Sequence, residues 1–355
     1  MATAPAKSGV PAKPATASTG AAVVVNRPQT PMPIPSKAPT IQPLKPATTQ
    51  VVRPVAPAAA QQALKPAAPK GPAFKISAVP DRTRYLKCLI YGDYGIGKTR
   101  LAATSAAVDQ MCNVLMISIE SGDQTLLDDP EYNFDEIDVV EVKNYNVLGH
   151  VLDFLKMHVR LRDQEGPEID QKLREVEAAL KGCKPEDIGV PRRYYTVILD
   201  SLTEAEQYCM NQLLGITDLT RIDFEAATAE WAEYKKQHSM VQRLVRNFRD
   251  LPMHVIMTCS RSWTQDERKR FQYGPQMTGK LAGQVQGFMD VVGYLVTLPP
   301  VDEEGGKDKR LPRRLWIQPV SNWAAKSRFA NYKGNYFDDP SFPKILKSVG
   351  LLDAS

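Results

Sequence analysis

Between Gly92 and Thr99 the chain reads Gly-Asp-Tyr-Gly-Ile-Gly-Lys-Thr, the spacing G-x-x-x-x-G-K-[ST]. Glycines at 92, 95 and 97 allow successive backbone N–H groups to turn inward on an anion, with Asp93, Tyr94 and Ile96 between them and Arg100 just beyond. Lys98 supplies a cation for the outer phosphates of a polyphosphate, and the Thr99 hydroxyl a ligand for Mg²⁺. A loop of this kind needs a carboxylate beside the metal. The apolar run Tyr195-Thr-Val-Ile-Leu-Asp200 ends on one and is followed by Ser201. Attack by water also needs a group that orients or deprotonates it. Glu120, directly after Met116-Ile-Ser-Ile, is the first candidate and Glu204 the reserve. The polar end of Met253-His-Val-Ile-Met-Thr-Cys-Ser-Arg261, Thr258 and Ser260, stands where a γ-phosphate sensor belongs, with Ser260 the candidate. Together these residues point to a bound nucleoside triphosphate.

Such groups work only if the right elements carry them. Leu86–Tyr91 reads as a buried strand and residues 98–108 as the helix after the loop, whose N-terminal dipole favours phosphate. Apolar runs at 113–119, 137–142, 194–199, 253–258, 290–298 and 313–318 read as further strands. Helical spacing covers 146–162, 168–181, 202–214, 223–249 and 279–288, and residues 263–278 read as a loop or hairpin. The segment 146–182 reads as an insertion or packing layer, to which we assign no chemistry. Strands alternating with helices predict an α/β fold whose mostly parallel sheet is covered on both faces.

Composition divides the chain. Residues 1–75 hold nine Lys or Arg and no Asp or Glu, so the net charge of +5 leaves −4 for residues 76–355. The basic character belongs to an Ala/Pro/Lys-rich tail that cannot bury enough apolar surface to order itself; we expect a disordered tail over 1–75 and one folded domain over 76–355. A basic body that binds DNA through net charge is thereby excluded. The tail's prolines also break the amphipathic helix of an organelle transit peptide, and Ala21–Val25 is too short for a signal-peptide core. Five cysteines without a C-x-x-C pair suit a reducing cytoplasm, and no apolar run is long enough to span a bilayer.

The order of phosphate loop, strand-end Glu120, Asp200-Ser201 and strand-end Ser260 resembles the RecA-like ATPase core, and more narrowly the phage recombination ATPases of the Sak type. Thr278-Gly-Lys-Leu-Ala-Gly, Phe288-Met-Asp-Val-Val-Gly-Tyr-Leu295 and Ala325-Lys-Ser-Arg-Phe329 are similar to that group's later segments. Ser118 stands where RecA-type strands often carry Asp, and Ser260 where Gln or His is more usual. The resemblance implies ATP and Mg²⁺ as ligands, Asp200 and Thr99 at the metal, Glu120 as base, and a homo-oligomer in which Lys326 and Arg328 reach a neighbour's γ-phosphate. It also implies DNA recombination, annealing or replication, with a single-strand-binding or replisome protein as a further partner. The loop after the Ser260 strand, Arg261–Tyr273, mixes Arg261, Arg268, Lys269 and Arg270 with Trp263, Phe271 and Tyr273, which suits single-stranded DNA. Other readings are a helicase or helicase loader, and a nucleotide-gated binding module with slow hydrolysis.

Overall fold

The computed structural model describes residues 85–127, 129–216, 228–265, 267–299, 311–320 and 322–351. The tail over 1–75 lies outside the described residues. In chain order the elements are β1 (Lys87–Gly92), α1 (Lys98–Ala103), β2 (Val114–Ser118), β3 (Ile137–Glu141), α2 (Tyr145–Leu161), α3 (Pro167–Lys181), β4 (Thr196–Asp200), α4 (Leu202–Leu213), α5 (Trp231–Arg249), β5 (His254–Gln265), β6 (Phe271–Pro275), α6 (Leu281–Phe288), β7 (Val291–Thr297), β8 (Arg313–Trp316), β9 (Lys326–Ser327), β10 (Tyr336–Asp338) and α7 (Phe342–Ser348).

The strands run β10-β8-β7-β1-β5-β4-β2-β3 across the sheet, with β9 beside β7 and β6 beside β5. From β7 to β3 every neighbouring pair is parallel; β8, β9 and β10 join antiparallel. One strand, β5, separates the loop strand β1 from the Asp200 strand β4. This is the expected α/β architecture, with a mostly parallel sheet and the phosphate loop on a central strand.

Apolar strands β1, β2 and β4 are buried on both faces, and their residues alternate between two cores. Leu89, Tyr91, Leu199 and Met257 face α2, α4, α5 and α6. Ile90, Met116, Ile198 and Ile256 face α1 and α7. The period of two then carries Ser118, Asp200, Thr258 and Ser260 to the face of the loop helix. At the opposite end of the sheet the buried Arg162 guanidinium donates to the Tyr194 carbonyl at 2.9 Å, to the Pro252 carbonyl and to the Tyr85 hydroxyl at 3.1 Å.

Three boundaries differ from the sequence reading. The helix after the loop turns 3-10 at Thr104, whose hydroxyl donates to the Leu101 carbonyl at 2.6 Å and accepts the Phe342 N–H at 2.9 Å, docking α7. The β5 strand runs on to Gln265, because its second half leaves the sheet and pairs with β6 as a hairpin. Within the described residues α5 begins at Trp231, and positions 223–227 of the expected helix lie outside them. The elements β9, β10 and α7 carried no sequence signal, being two, three and seven residues long.

Candidate nucleotide site

The phosphate loop leaves β1 at the carboxyl end of the parallel strands, where open α/β sheets bind ligands. Gly95 and Gly97 have φ of 71° and 91°, conformations that side chains other than glycine rarely adopt. Lys98 is buried at 7% exposure and donates to the Gly92 and Asp93 carbonyls at 3.2 and 2.8 Å. Burial lowers its pKa, and the carboxylates of Glu120 and Asp200 oppose that shift. In this state the ammonium satisfies its own loop; a phosphate would exchange two neutral acceptors for a charged one.

Asp200 is 1% exposed and each of its oxygens accepts a hydroxyl: Oδ2 from Thr99 at 2.8 Å, Oδ1 from Thr258. The two residues expected at the metal are therefore already side by side. A hydroxyl and a carboxylate are hard oxygen donors of the kind Mg²⁺ takes when phosphates and water complete its shell. Gly122 lies against this pair, and a Cβ there would stand 2.7 Å from Asp200 Oδ2 and 3.1 Å from Thr99 Oγ1. When bound, the ion would draw charge from the phosphates; Thr99 and Asp200 would hold it.

Glu120 follows β2 beside the end of β4, where Ile119 donates its N–H to the Asp200 carbonyl at 2.7 Å. The Ser201 hydroxyl donates to Glu120 Oε1 at 2.5 Å and also caps α4 by accepting the Glu204 N–H at 3.4 Å. Burial and then the charge of Glu120 raise the pKa of Glu204. The expected base is thus aimed by the residue after the metal-site carboxylate. Ser260 pairs with Gly92 across β5 and β1. It is fully buried, its hydroxyl finds no hydrogen-bond partner among the described residues, and it lies outside the lining of the cavity around Lys98 and Thr99.

The AAA-domain family profile matches residues 84–329, more than half of the chain. The chain belongs to the AAA-domain family. No curated protein matches it. Solved structures similar to this AAA domain include the RadB recombinase (13% identity, 65% of this chain and 81% of that one, TM-score 0.30). They also include the flagellar accessory protein FlaH from Methanocaldococcus jannaschii (10%, 71% and 83%, 0.34) and a DnaB-like replicative helicase (15%, 71% and 55%, 0.33).

Of the other expected site residues of the AAA domain, those in or next to the loop are engaged by neighbouring side chains, and Lys326 and Arg328 lie apart from it. The Arg100 guanidinium turns away to Asp129 at 2.5 Å and Glu131 at 2.6 Å, and its hydrogen bonds hold the Asp129 carboxyl down at about 2. Asp93 pairs with Arg261 at 2.8 Å, and the exposed Tyr94 ring lies 5.6 Å from the Lys98 ammonium. Lys326 donates to the carbonyls of Gln286, Gly287 and Met289, capping the C-terminal end of α6, and Arg328 pairs with Asp290 at 3.0 Å. Lys326 and Ser327 pair with Val292 and Val291 of β7, which neighbour Leu89 and Cys88 of β1, so along the strands Lys326 sits about 10 Å and Arg328 about 16 Å from the level of Gly92. They cannot serve their own loop. In the hairpin, Arg261 is held at the base by Asp93, by the Tyr294 hydroxyl at 3.0 Å and over the Tyr273 ring at 4.9 Å. Trp263 and Phe271, 60% and 47% exposed, meet edge to face further out.

Sequence reasoning missed Gly122 and Arg313, and it read Thr258 as part of the polar strand end with Ser260 rather than as a partner of Asp200. Thr258 shares the face of Ser260 two residues on, and Gly122 closes Glu120-Ser-Gly, so both had a local signal. Arg313 had none.

Proposed function

We propose that this chain binds ATP with Mg²⁺ and hydrolyses it, and that hydrolysis serves DNA recombination, single-strand annealing or replication. One observation carries the reading: Thr99, Asp200, Ser201 and Glu120 form a continuous hydrogen-bonded and bonded chain from the phosphate loop to a carboxylate, at the strand ends. Lys98 takes the outer phosphates, Glu120 accepts the proton of the attacking water, and Ser260 senses the γ-phosphate. The Sak-type resemblance and a phage origin belong to this reading, as do a bacterial cytoplasm, a homo-oligomer and a replisome or single-strand-binding partner. Lys326 and Arg328 act across the subunit boundary, since their place in the sheet removes them from their own site. Among the similar structures are a recombinase and a replicative helicase, and a helicase motor is the second enzymatic reading.

The exposed Trp263 and Phe271 rings beside the Arg268-Lys269-Arg270 turn favour single-stranded nucleic acid as partner, because stacking tolerates any base. The deciding experiment is the ATPase rate of the full chain with and without single-stranded DNA. DNA-stimulated turnover that disappears in Glu120→Gln, with ATP still bound, supports the reading. ATP binding that survives Lys98→Ala refutes it. ATP-dependent DNA binding without measurable turnover would identify a nucleotide-gated module, and strand displacement would identify a helicase.

A further inference from the structure

Arg313 opens β8, which runs antiparallel to β7, so the start of β8 lies at the same end of the sheet as the phosphate loop. Alternation puts Arg313 on the face of Leu315, which packs in the core under α1, whereas Arg314 faces the other way and pairs with Asp338 at 2.7 Å. The Arg313 side chain consequently crosses the mouth of the loop. Its Cζ stands 2.7 Å from where a Cβ at Gly97 would be, so the absence of a side chain at 97 makes room for the guanidinium as well as for the loop's left-handed turn. The backbone is fixed from both sides: the Arg313 N–H donates to Asp339 Oδ1 at 3.0 Å, and the Asp339 N–H donates to the Arg313 carbonyl at 2.8 Å.

Arg313 also stands where two cavities meet. One, about 420 Å³, is lined by Gly97, Lys98, Thr99, Glu120 and Gly122. The other, about 300 Å³, lies between Tyr132, Leu311, Pro312 and Pro340, and Arg313 lines both. The second mixes the Tyr132 ring, Leu311 and two prolines with the charged or polar Arg100, Glu131, Asp339 and Ser341, so it offers a nucleoside both apolar contact and partners for its sugar hydroxyls. We propose that Arg313 is a nucleotide-contacting residue of its own subunit: its guanidinium grips the triphosphate where the phosphates leave the loop, and the cavity behind it takes the nucleoside. A planar fork of donors suits phosphate oxygens and can also lie flat against a ring. This assignment rests on the triphosphate reading of the phosphate loop and adds a cation that the loop motif does not contain.

The test is calorimetric titration of the full-length protein with ATP and, separately, with inorganic tripolyphosphate, in Mg²⁺. Arg313→Ala and Arg313→Gln should each weaken ATP at least tenfold, Arg313→Lys should recover part of that loss, and Arg314→Ala should stay within twofold of the parent. Leu311→Asp should weaken ATP while leaving tripolyphosphate within twofold. ATP affinity within twofold of the parent in both Arg313→Ala and Arg313→Gln overturns the assignment of Arg313. Equal effects of Leu311→Asp on the two ligands overturn the nucleoside cavity. Loss of ATP in Lys98→Ala with Arg313 variants unaffected would discard this inference alone, whereas ATP binding that survives Lys98→Ala would discard the loop reading beneath it.

Discussion

At the scale of single residues, the site is organised by hydroxyls that meet carboxylates. Asp200 receives Thr99 and Thr258, and Glu120 receives Ser201, so each carboxylate is oriented before any ligand arrives. Preorganisation of this kind avoids reorientation during the reaction. Replacing Glu120 by Gln should lower turnover ~100- to 10,000-fold while nucleotide affinity, followed by calorimetry, holds; unchanged turnover would move the base to Glu204. Gly122→Ala offers a sharper probe of the proposed Mg²⁺ site. A methyl group there must displace Asp200 Oδ2 or the backbone of Gly122 itself. We expect the Mg²⁺ concentration for half-maximal turnover to rise at least tenfold with little change in the thermal midpoint. A variant indistinguishable from the parent would mean that the carboxylate moves aside freely.

At the scale of elements, the end of the sheet remote from the loop is held by buried polar side chains rather than by apolar contact alone. Arg162, at the end of α2, ties together the chain entering β4 and the chain entering β5 through the Tyr194 and Pro252 carbonyls. Arg162→Met would leave both carbonyls unpaired, at about 1–3 kcal/mol each, so equilibrium urea unfolding should show a loss of about 2–6 kcal/mol. Two histidines share this region. His158 accepts the Tyr194 N–H at 2.9 Å and His254 accepts the Leu86 N–H at 3.1 Å, roles open only to the neutral ring. Burial holds both pKa values at about 4, below the ordinary 6.5. Between those values the unfolded chain binds more protons than the folded one, so stability rises with pH. Their contribution is complete above about pH 6.5 and disappears as pH falls through 4. Unfolding measured from pH 7 to 4 should therefore show a steep decline, and His158→Gln, which keeps an acceptor that does not titrate, should flatten it.

At the scale of the whole molecule, the sheet separates two kinds of cation. Arg313 crosses the mouth of its own loop, while Lys326 and Arg328 lie at the far end, capping α6. If the latter pair acts in a neighbour's site, mixing Arg328→Ala chains with Lys98→Ala chains should restore turnover above the sum of the two alone, because the active sites of an assembly would draw one intact half from each. Turnover equal to that sum would confine Arg328 to its local pairing with Asp290. The hairpin belongs to this scale too. Loss of the Trp263 ring should cost about 1–3 kcal/mol of single-stranded DNA affinity, measured by anisotropy, with basal ATPase retained. Deleting residues 1–75 should leave basal turnover unchanged and, if the tail meets phosphates, reduce the salt dependence of DNA binding.

What the sequence alone determined was local in origin. The loop motif, the apolar runs ending on Asp200 and Glu120, and the alternation of strand and helix were legible because each depends on residues a few positions apart. The strand-end hydroxyls were visible for the same reason. Only the tertiary structure decided which distant residues meet. Arg313 lies more than two hundred positions after the loop and reaches it because β8 reverses against β7, a pairing that no local pattern encodes. Long-range register also sends Lys326 and Arg328 to the end of the sheet away from their own loop, and the turn after β2 brings Asp129 and Glu131 onto Arg100. Side-chain type fixes which chemistry a residue can perform; sheet order and strand direction fix which partner it performs it with.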